Sequence, residues 1–161
     1  MTYEEARPSE APSEPEEPDW LTLDRRRALH AFDWGALAAV GAAVVYGLLW
    51  GAAQLYLGLI AIAVMGGWLI GAGVRHGAWR GGQHLPDVRL RLLGAALALA
   101  AWLGGAFVAW VSSRALLPES ALDLAERLSE LGFIDYFVQV YDIVHGAAAA
   151  AMVFMAWRMA R

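Results

Sequence analysis

The chain contains neither cysteine nor lysine, and it has few charged residues for its length of 161. Without cysteine, disulfides, thiolate metal sites, thiol redox chemistry and covalent attachment of a c-type haem are excluded. All twelve basic residues are arginine, and alanine, glycine and leucine abound, which is typical of a GC-rich bacterial genome. Charged residues make up 17% and apolar residues 59%, whereas soluble domains are about one quarter charged. This composition predicts a membrane protein.

Most of the negative charge lies in the first nineteen residues. Residues 1–19 hold seven acidic residues, four prolines and a single aromatic residue. Such a segment buries too little apolar surface to offset the entropy of ordering, so we expect a disordered acidic tail that suits a basic cytoplasmic partner. The rest of the chain carries a net charge of +2 without a basic patch, and no nucleic-acid partner is expected.

Four apolar runs predict transmembrane helices over 34–53, 55–74, 92–111 and 136–157. Each has about twenty residues, the length that crosses ~30 Å of hydrocarbon. Residues 20–33 predict an interfacial amphipathic segment, with Asp33 as the N-cap of the first span. A hairpin is expected near Gly51–Gln54, because one helix through both runs would be too long for a membrane.

Two segments connect the later spans. Residues 75–91 contain four arginines, Gly81–Gly82 and Pro86, and we expect a loop there. Residues 118–131 begin with proline, carry acids in the first turn and precede Gly132, which predicts an amphipathic surface helix. The expected fold is all-α: an integral membrane bundle of four transmembrane helices plus one amphipathic surface helix, in one domain over 34–161.

Arginine is distributed unequally between the two sides of this topology. Residues 25–27, 75–91 and 158–161 hold nine arginines, whereas the opposite side has only Arg114 and Arg127. The positive-inside rule therefore predicts a multi-pass protein of the bacterial cytoplasmic (inner) membrane with both termini cytoplasmic. Seven of these arginines are expected to meet lipid headgroups: Arg25, Arg26, Arg27, Arg75, Arg80, Arg89 and Arg91.

Small residues recur four apart in every predicted span, where they allow close approach of helix backbones. The pairs are Gly47 and Gly51, Gly67 and Gly71, Ala101 and Gly105, and Gly146 and Ala150. One interpretation is tight packing inside a single bundle. The other is that one of these faces docks another subunit or a flat cofactor.

The fourth span carries an unusual polar stripe. Asp135, Gln139, Asp142 and His145 recur three or four residues apart, so on one continuous helix they would share a face. Because an ionisable group inside a membrane is costly, we expect the stripe to face the bundle, with Asp142 orienting the imidazole of His145.

Three interpretations of this stripe are open. The polar groups could simply fix helix rotation, with His145 hydrogen-bonded to a neighbouring helix. They could line a water-filled cavity that carries a proton, an ion or a small solute. In the third interpretation, His145 ligates a haem or a chlorophyll-type ring, with Gly146 and the following alanines leaving room for it.

The sequence lacks the motifs of common enzymes, namely G-x-S-x-G, H-E-x-x-H and a phosphate-binding glycine loop outside the spans. We therefore expect no enzyme, and the cofactor is unknown. The leading hypothesis is an accessory, non-catalytic subunit or scaffold of a larger bacterial membrane complex, in contact with lipid and with other membrane subunits or itself. The alternative is a small homo-oligomeric channel or carrier that uses the polar stripe, and the third hypothesis is a haem- or pigment-binding protein.

Overall fold

The computed structural model describes residues 25–51, 53, 58–79, 87–115, 132–140 and 142–161. They form helices α1 (Arg25–Gly51), α2 (Leu59–Ala78), α3 (Val88–Ala115), α4 (Phe133–Val140) and α5 (Ile143–Met159). The described residues contain no strand, which confirms the all-α prediction. The predicted tail over 1–19 and surface helix over 118–131, and most of the hairpin turn, lie outside the described residues.

Three of these helices, α1, α2 and α3, are long and apolar enough to cross a membrane. The helices α4 and α5 meet the same criterion together, but the pair is bent by 99°. By length and composition the chain is a multi-pass membrane protein with three candidate spans, or four if the bent pair counts as one.

The observed helices extend beyond the predicted spans at the arginine-bearing ends. The first helix begins at Arg25, so the second half of the predicted interfacial segment belongs to α1 and Asp33 does not cap it. Arginine and alanine favour helix, and nothing between Arg25 and Trp34 breaks it. The loop predicted over 75–91 is shorter, because α2 continues to Ala78 and α3 begins at Val88.

The fourth span differs most from its prediction. A continuous helix over 136–157 was expected, but α4 ends at Val140 and α5 begins at Ile143. Asp142 separates them with extended backbone, at φ −128° and ψ −177°, and its carboxylate caps α5. The same three-residue spacing that suits a helix interior also suits a cap and its first turn, so the sequence pattern did not distinguish the two.

Close contacts show how the four long helices are arranged. Glycines lie at the crossings, because a Cβ at each would collide with the neighbouring helix. The pairs are Gly77 with His30 and Gly73 with Trp34, Gly47 with Gly105 and Gly51 with Ala109, and Gly67 with Met152 and Gly71 with Ala156. Consequently α1 and α3 run one way, and α2 and α5 run the other way.

This arrangement gives the bundle two different ends. The basic end collects the starts of α1 and α3 and the ends of α2 and α5, with all described arginines except Arg114. A small apolar core, built around Ala31, Val74 and Leu90, lies at this end. The aromatic end collects the other helix ends and includes Tyr46, Trp50 and Tyr136, all of them buried.

Candidate functional site

The most unusual residue of the aromatic end is Asp142, which is the N-cap of α5. Its Oδ1 accepts the backbone N–H groups of Val144 and His145, both at 3.0 Å. This is N-cap geometry, in which a carboxylate satisfies amides that have no partner within the helix. The cap explains why the chain can turn sharply here although the surrounding sequence is apolar.

The same carboxylate oxygen also holds the imidazole of His145. Its distance to Nδ1 of His145 is 2.6 Å, and this is the contact that the three-residue spacing predicts. The His145 residue is 0% exposed, whereas the Asp142 side chain is 46% exposed. Because an ionised carboxylate can only accept, Nδ1 carries the hydrogen and donates it. The pair thus connects an accessible acid to a fully buried base.

Aromatic rings cover the imidazole. The ring of Trp50, from the last turn of α1, lies 4.0 Å from that of His145 between centroids, at 40°. Trp50 itself contacts Tyr46 at 5.9 Å and Tyr136 of α4 at 6.2 Å. These five residues, Asp142, His145, Trp50, Tyr46 and Tyr136, are called the His145 cluster below. It joins α1, α4 and α5.

The sequence analysis did not single out the aromatic half of this cluster, namely Tyr46, Trp50 and Tyr136. Tyr46 and Trp50 are one helical turn apart and lie at the end of α1. The predicted start of the fourth span, near Tyr136, lies at the same depth in the membrane. This shared depth is the feature of the sequence that could have indicated the contact. The aromatic rings therefore meet His145, which is the one buried polar or charged residue among those described.

The predicted polar stripe does not continue beyond this pair. Asp135 and Gln139 lie on α4 and are exposed. Because α4 is bent away from α5, the four side chains do not line one helix face. On the other side of His145, the buried face of α5 consists of Ala148, Met152 and Ala156, each 0% exposed. A proton that reached His145 from Asp142 would meet an apolar core there.

The described residues around His145 leave no space suited to a haem or chlorophyll ring. The imidazole is fully buried, with one face on Trp50 and Nδ1 on Asp142. A macrocycle needs an open plane beside the ligating nitrogen, and the space next to Gly146 is instead a shallow, open depression on the outer face of α5. Within the described ranges, no three His, Asp or Glu side chains come together as metal ligands.

Most of the predicted small-residue faces pack inside the bundle. Gly47, Gly51, Gly67, Gly71 and Gly105 each lie against a neighbouring helix, and Ala101 is buried. Gly146 is partly exposed and Ala150 is exposed on α5. The packing role of Gly146 and Ala150 therefore stays a prediction.

A small residue that the sequence analysis did not single out lies on the outside. A Cβ at Gly41 would meet nothing within 4 Å. Gly41 lines an apolar groove of about 380 Å³ between α1 and α2, which holds Ala38, Gly41, Ala42, Val45, Ile62, Met65, Gly66 and Leu69. Its rim consists of large apolar side chains, among them Met65 at 65% exposure and Val45 at 50%.

The predicted headgroup-contacting arginines gather at the basic end. Arg25, Arg26, Arg75 and Arg89 are exposed, and Arg27 and Arg91 are partly exposed. Two of them, Arg26 and Arg27, line a pocket of about 260 Å³ with His30, Gly77 and Trp79. Arg80 lies outside the described residues. His76 packs its ring against Trp34 at 5.2 Å.

Comparison with known proteins adds no relative to this description. No protein-family model, curated protein or solved structure matches the chain.

Proposed function

We propose that this protein is an accessory, non-catalytic subunit of a larger bacterial membrane complex, docked through the groove between α1 and α2. The supporting observation is Gly41, at which a Cβ would meet no described atom within 4 Å. In lipid, helices associate through close backbone approach at small residues, so an open glycine in an apolar groove suits a partner helix. The other glycines of α1 and α2 that approach a neighbour do so within this chain.

The groove lies at a level of the membrane where a partner helix can contact it. Its α1 residues, Ala38 to Val45, start thirteen residues after Arg25, which corresponds to ~20 Å along the helix. They therefore lie near the middle of α1, within the hydrocarbon region. The described lining residues include no charged one, and the exposed Met65 and Leu69 on the rim provide large apolar surfaces beside the small floor.

The His145 cluster favours this function over the carrier hypothesis. A carrier needs polar groups that continue through the bundle, and the polar pair stops at Ala148 and Met152 within the described residues. The clustered rings and the capped bend instead hold α4, α5 and α1 together. We assign Asp142 and His145 a role in holding the shape of the bundle.

The arginine distribution supports an orientation with the basic end in the cytoplasm. The acidic tail would then meet a basic cytoplasmic partner.

The test is native mass spectrometry of the protein extracted gently from its own membranes, as wild type and as Gly41→Leu. We expect a stoichiometric foreign membrane subunit in the main peak of the wild type and its loss in the variant. A Cβ at Gly41 would meet no described atom within 4 Å, so we expect leucine there to fill the groove without lowering the unfolding temperature.

Ala100→Leu is the matched control, because Ala100 is also a small, exposed residue in the middle of a long helix, α3. This control should retain the foreign subunit. A main peak that contains only copies of this chain would overturn the accessory role and favour the homo-oligomeric channel or carrier. A foreign subunit that is retained equally in Gly41→Leu would reject the groove as the docking surface.

A further inference from the structure

The pocket at the basic end combines donors from two helices. Arg26, Arg27 and His30 come from the first two turns of α1, and Gly77 and Trp79 come from the end of α2. On α1 the spacing of one turn places both guanidinium groups near the imidazole. Arginine and histidine with an indole ring form a donor-rich lining, which contains no carboxylate among the described residues.

The close crossing of α1 and α2 builds this pocket. A Cβ at Gly77 would collide with the carbonyl group of His30, so only glycine lets the two backbones approach there. Just beyond, α2 ends and the backbone of Trp79 becomes extended, at φ −70° and ψ 131°. Trp79 lines the pocket and is 54% exposed.

The basic groups of the pocket are not neutralised by the described protein. Neither Arg26 nor Arg27 forms an ion pair with a described carboxylate. Among the described residues, the one ion pair joins His145 to Asp142. The Nε of Arg27 is buried and has no hydrogen-bond partner among the described atoms. His30 donates Nδ1–H to the carbonyl of Arg26 at 2.8 Å, which leaves Nε2 as the ring atom that can face a ligand.

The level of the pocket in the membrane indicates which kind of anion it can reach. With 27 residues, α1 is ~40 Å long, which exceeds the ~30 Å of hydrocarbon by about seven residues. The excess lies at the end that carries Arg25, Arg26 and Arg27, since the other end is uncharged. Arg26, Arg27 and His30 are therefore at the level of the headgroups, where phosphate is the abundant anion.

We propose that this pocket binds the phosphate group of one anionic phospholipid. The planar guanidinium groups of Arg26 and Arg27 match phosphate oxygens with paired N–H donors, and the ring of His30 lies beside them in the lining. The indole ring of Trp79 lies at the interface, as aromatic side chains commonly do, and its amphipathic character suits the glycerol region of the lipid. The acyl chains then run along the outer faces of α1 and α2.

The experiment is a lipid titration of the purified full-length protein in detergent, read by native mass spectrometry. Phosphatidylglycerol and zwitterionic phosphatidylcholine are offered together. The wild type should retain one phosphatidylglycerol in preference to phosphatidylcholine. In Arg26→Gln/Arg27→Gln this preference should fall by roughly tenfold or more, because each arginine near the surface contributes to the binding of anionic lipid.

The double variant Arg158→Gln/Arg161→Gln is the matched control, because it removes the same charge from the same end of the bundle, outside the pocket. It should keep the preference, and the unfolding temperature of both variants should equal that of the wild type. An equal loss of preference in both double variants would overturn the proposal, since general charge attraction would then explain the binding. Displacement of the lipid by millimolar inorganic phosphate would also overturn it, in favour of a site for the free anion.

Discussion

The two ends of the bundle use their polar groups in opposite ways. At the basic end, Arg26 is exposed and Arg27 is partly exposed, and neither has a carboxylate partner among the described residues. At the aromatic end, His145 is fully buried and is held by the carboxylate of Asp142 at 2.6 Å. The first end is arranged to bind something outside the chain. The second is arranged to hold the chain together.

Solvation explains this division. A long arginine side chain near a helix end can extend to water and headgroups, so it needs no internal partner. An imidazole that is 0% exposed has no such route, and a buried polar group without a hydrogen bond costs several tenths to several kcal/mol. Asp142, one turn before it, supplies a hydrogen bond to the buried imidazole of His145.

Replacing a tryptophan at each end should give the largest difference between them. Trp50→Ala removes the ring that covers His145 and contacts Tyr46, and we expect a loss of about 3 kcal/mol in the free energy of unfolding. Trp34→Ala, at the basic end, removes a ring that is 48% exposed and should cost about 1 kcal/mol or less. A titration with a denaturing detergent measures both. Equal losses would show that the aromatic end is not the more tightly built of the two.

The second prediction concerns the polar pair itself. Asp142→Ala removes the cap of α5, worth about 1 kcal/mol, and leaves the buried Nδ1–H of His145 without its acceptor, worth about 1–3 kcal/mol. We expect a loss of about 2–4 kcal/mol in the same titration. Asp135→Ala is the control, because Asp135 is exposed on α4, and it should change stability by less than about 0.5 kcal/mol.

Rescue by asparagine separates the two contributions of Asp142. Asparagine is a good N-cap residue and its amide oxygen can still accept from His145, so Asp142→Asn should recover most of the loss. If Asp142→Ala were as stable as the wild type, the bend between α4 and α5 would have to be held by other groups. The pair would then be free for another role, and the carrier hypothesis would regain support.

The helices could be predicted from sequence because hydrocarbon imposes a length on apolar runs. The runs of α1, α2 and α3 were recognised on that basis, and the arginines that collect at one end follow from the same topology. The helix ends were less well predicted. Arg25, Arg26 and Arg27 are charged, but arginine favours helix. These charged residues indicated where the membrane span ends, whereas α1 itself continues through them.

The candidate site could be predicted only in part, for a geometric reason. The spacing of Asp142 and His145 indicates contact both inside a helix and across a cap, so the contact was expected but the bend was not. Trp50 lies ninety-five positions before His145, and no periodicity connects residues so far apart. The pocket of Arg26 and Trp79 depends similarly on the crossing at Gly77, which is visible only when α1 and α2 are placed together.

The smallest predicted effect is on stability at the basic end. Arg26→Gln/Arg27→Gln should change the free energy of unfolding by less than about 0.5 kcal/mol in a zwitterionic detergent that contains no anionic lipid. These arginines lack ion-pair partners among the described residues, and glutamine retains much of the aliphatic stem and the helix propensity. When phosphatidylglycerol is added, the wild type should gain stability and the double variant should not, because a ligand that binds only the folded state stabilises it. A loss above about 1 kcal/mol without lipid would mean that these arginines hold α1 to α2 directly. The basic end would then resemble the aromatic end, with its polar groups used for folding, and the contrast between the two ends would fail.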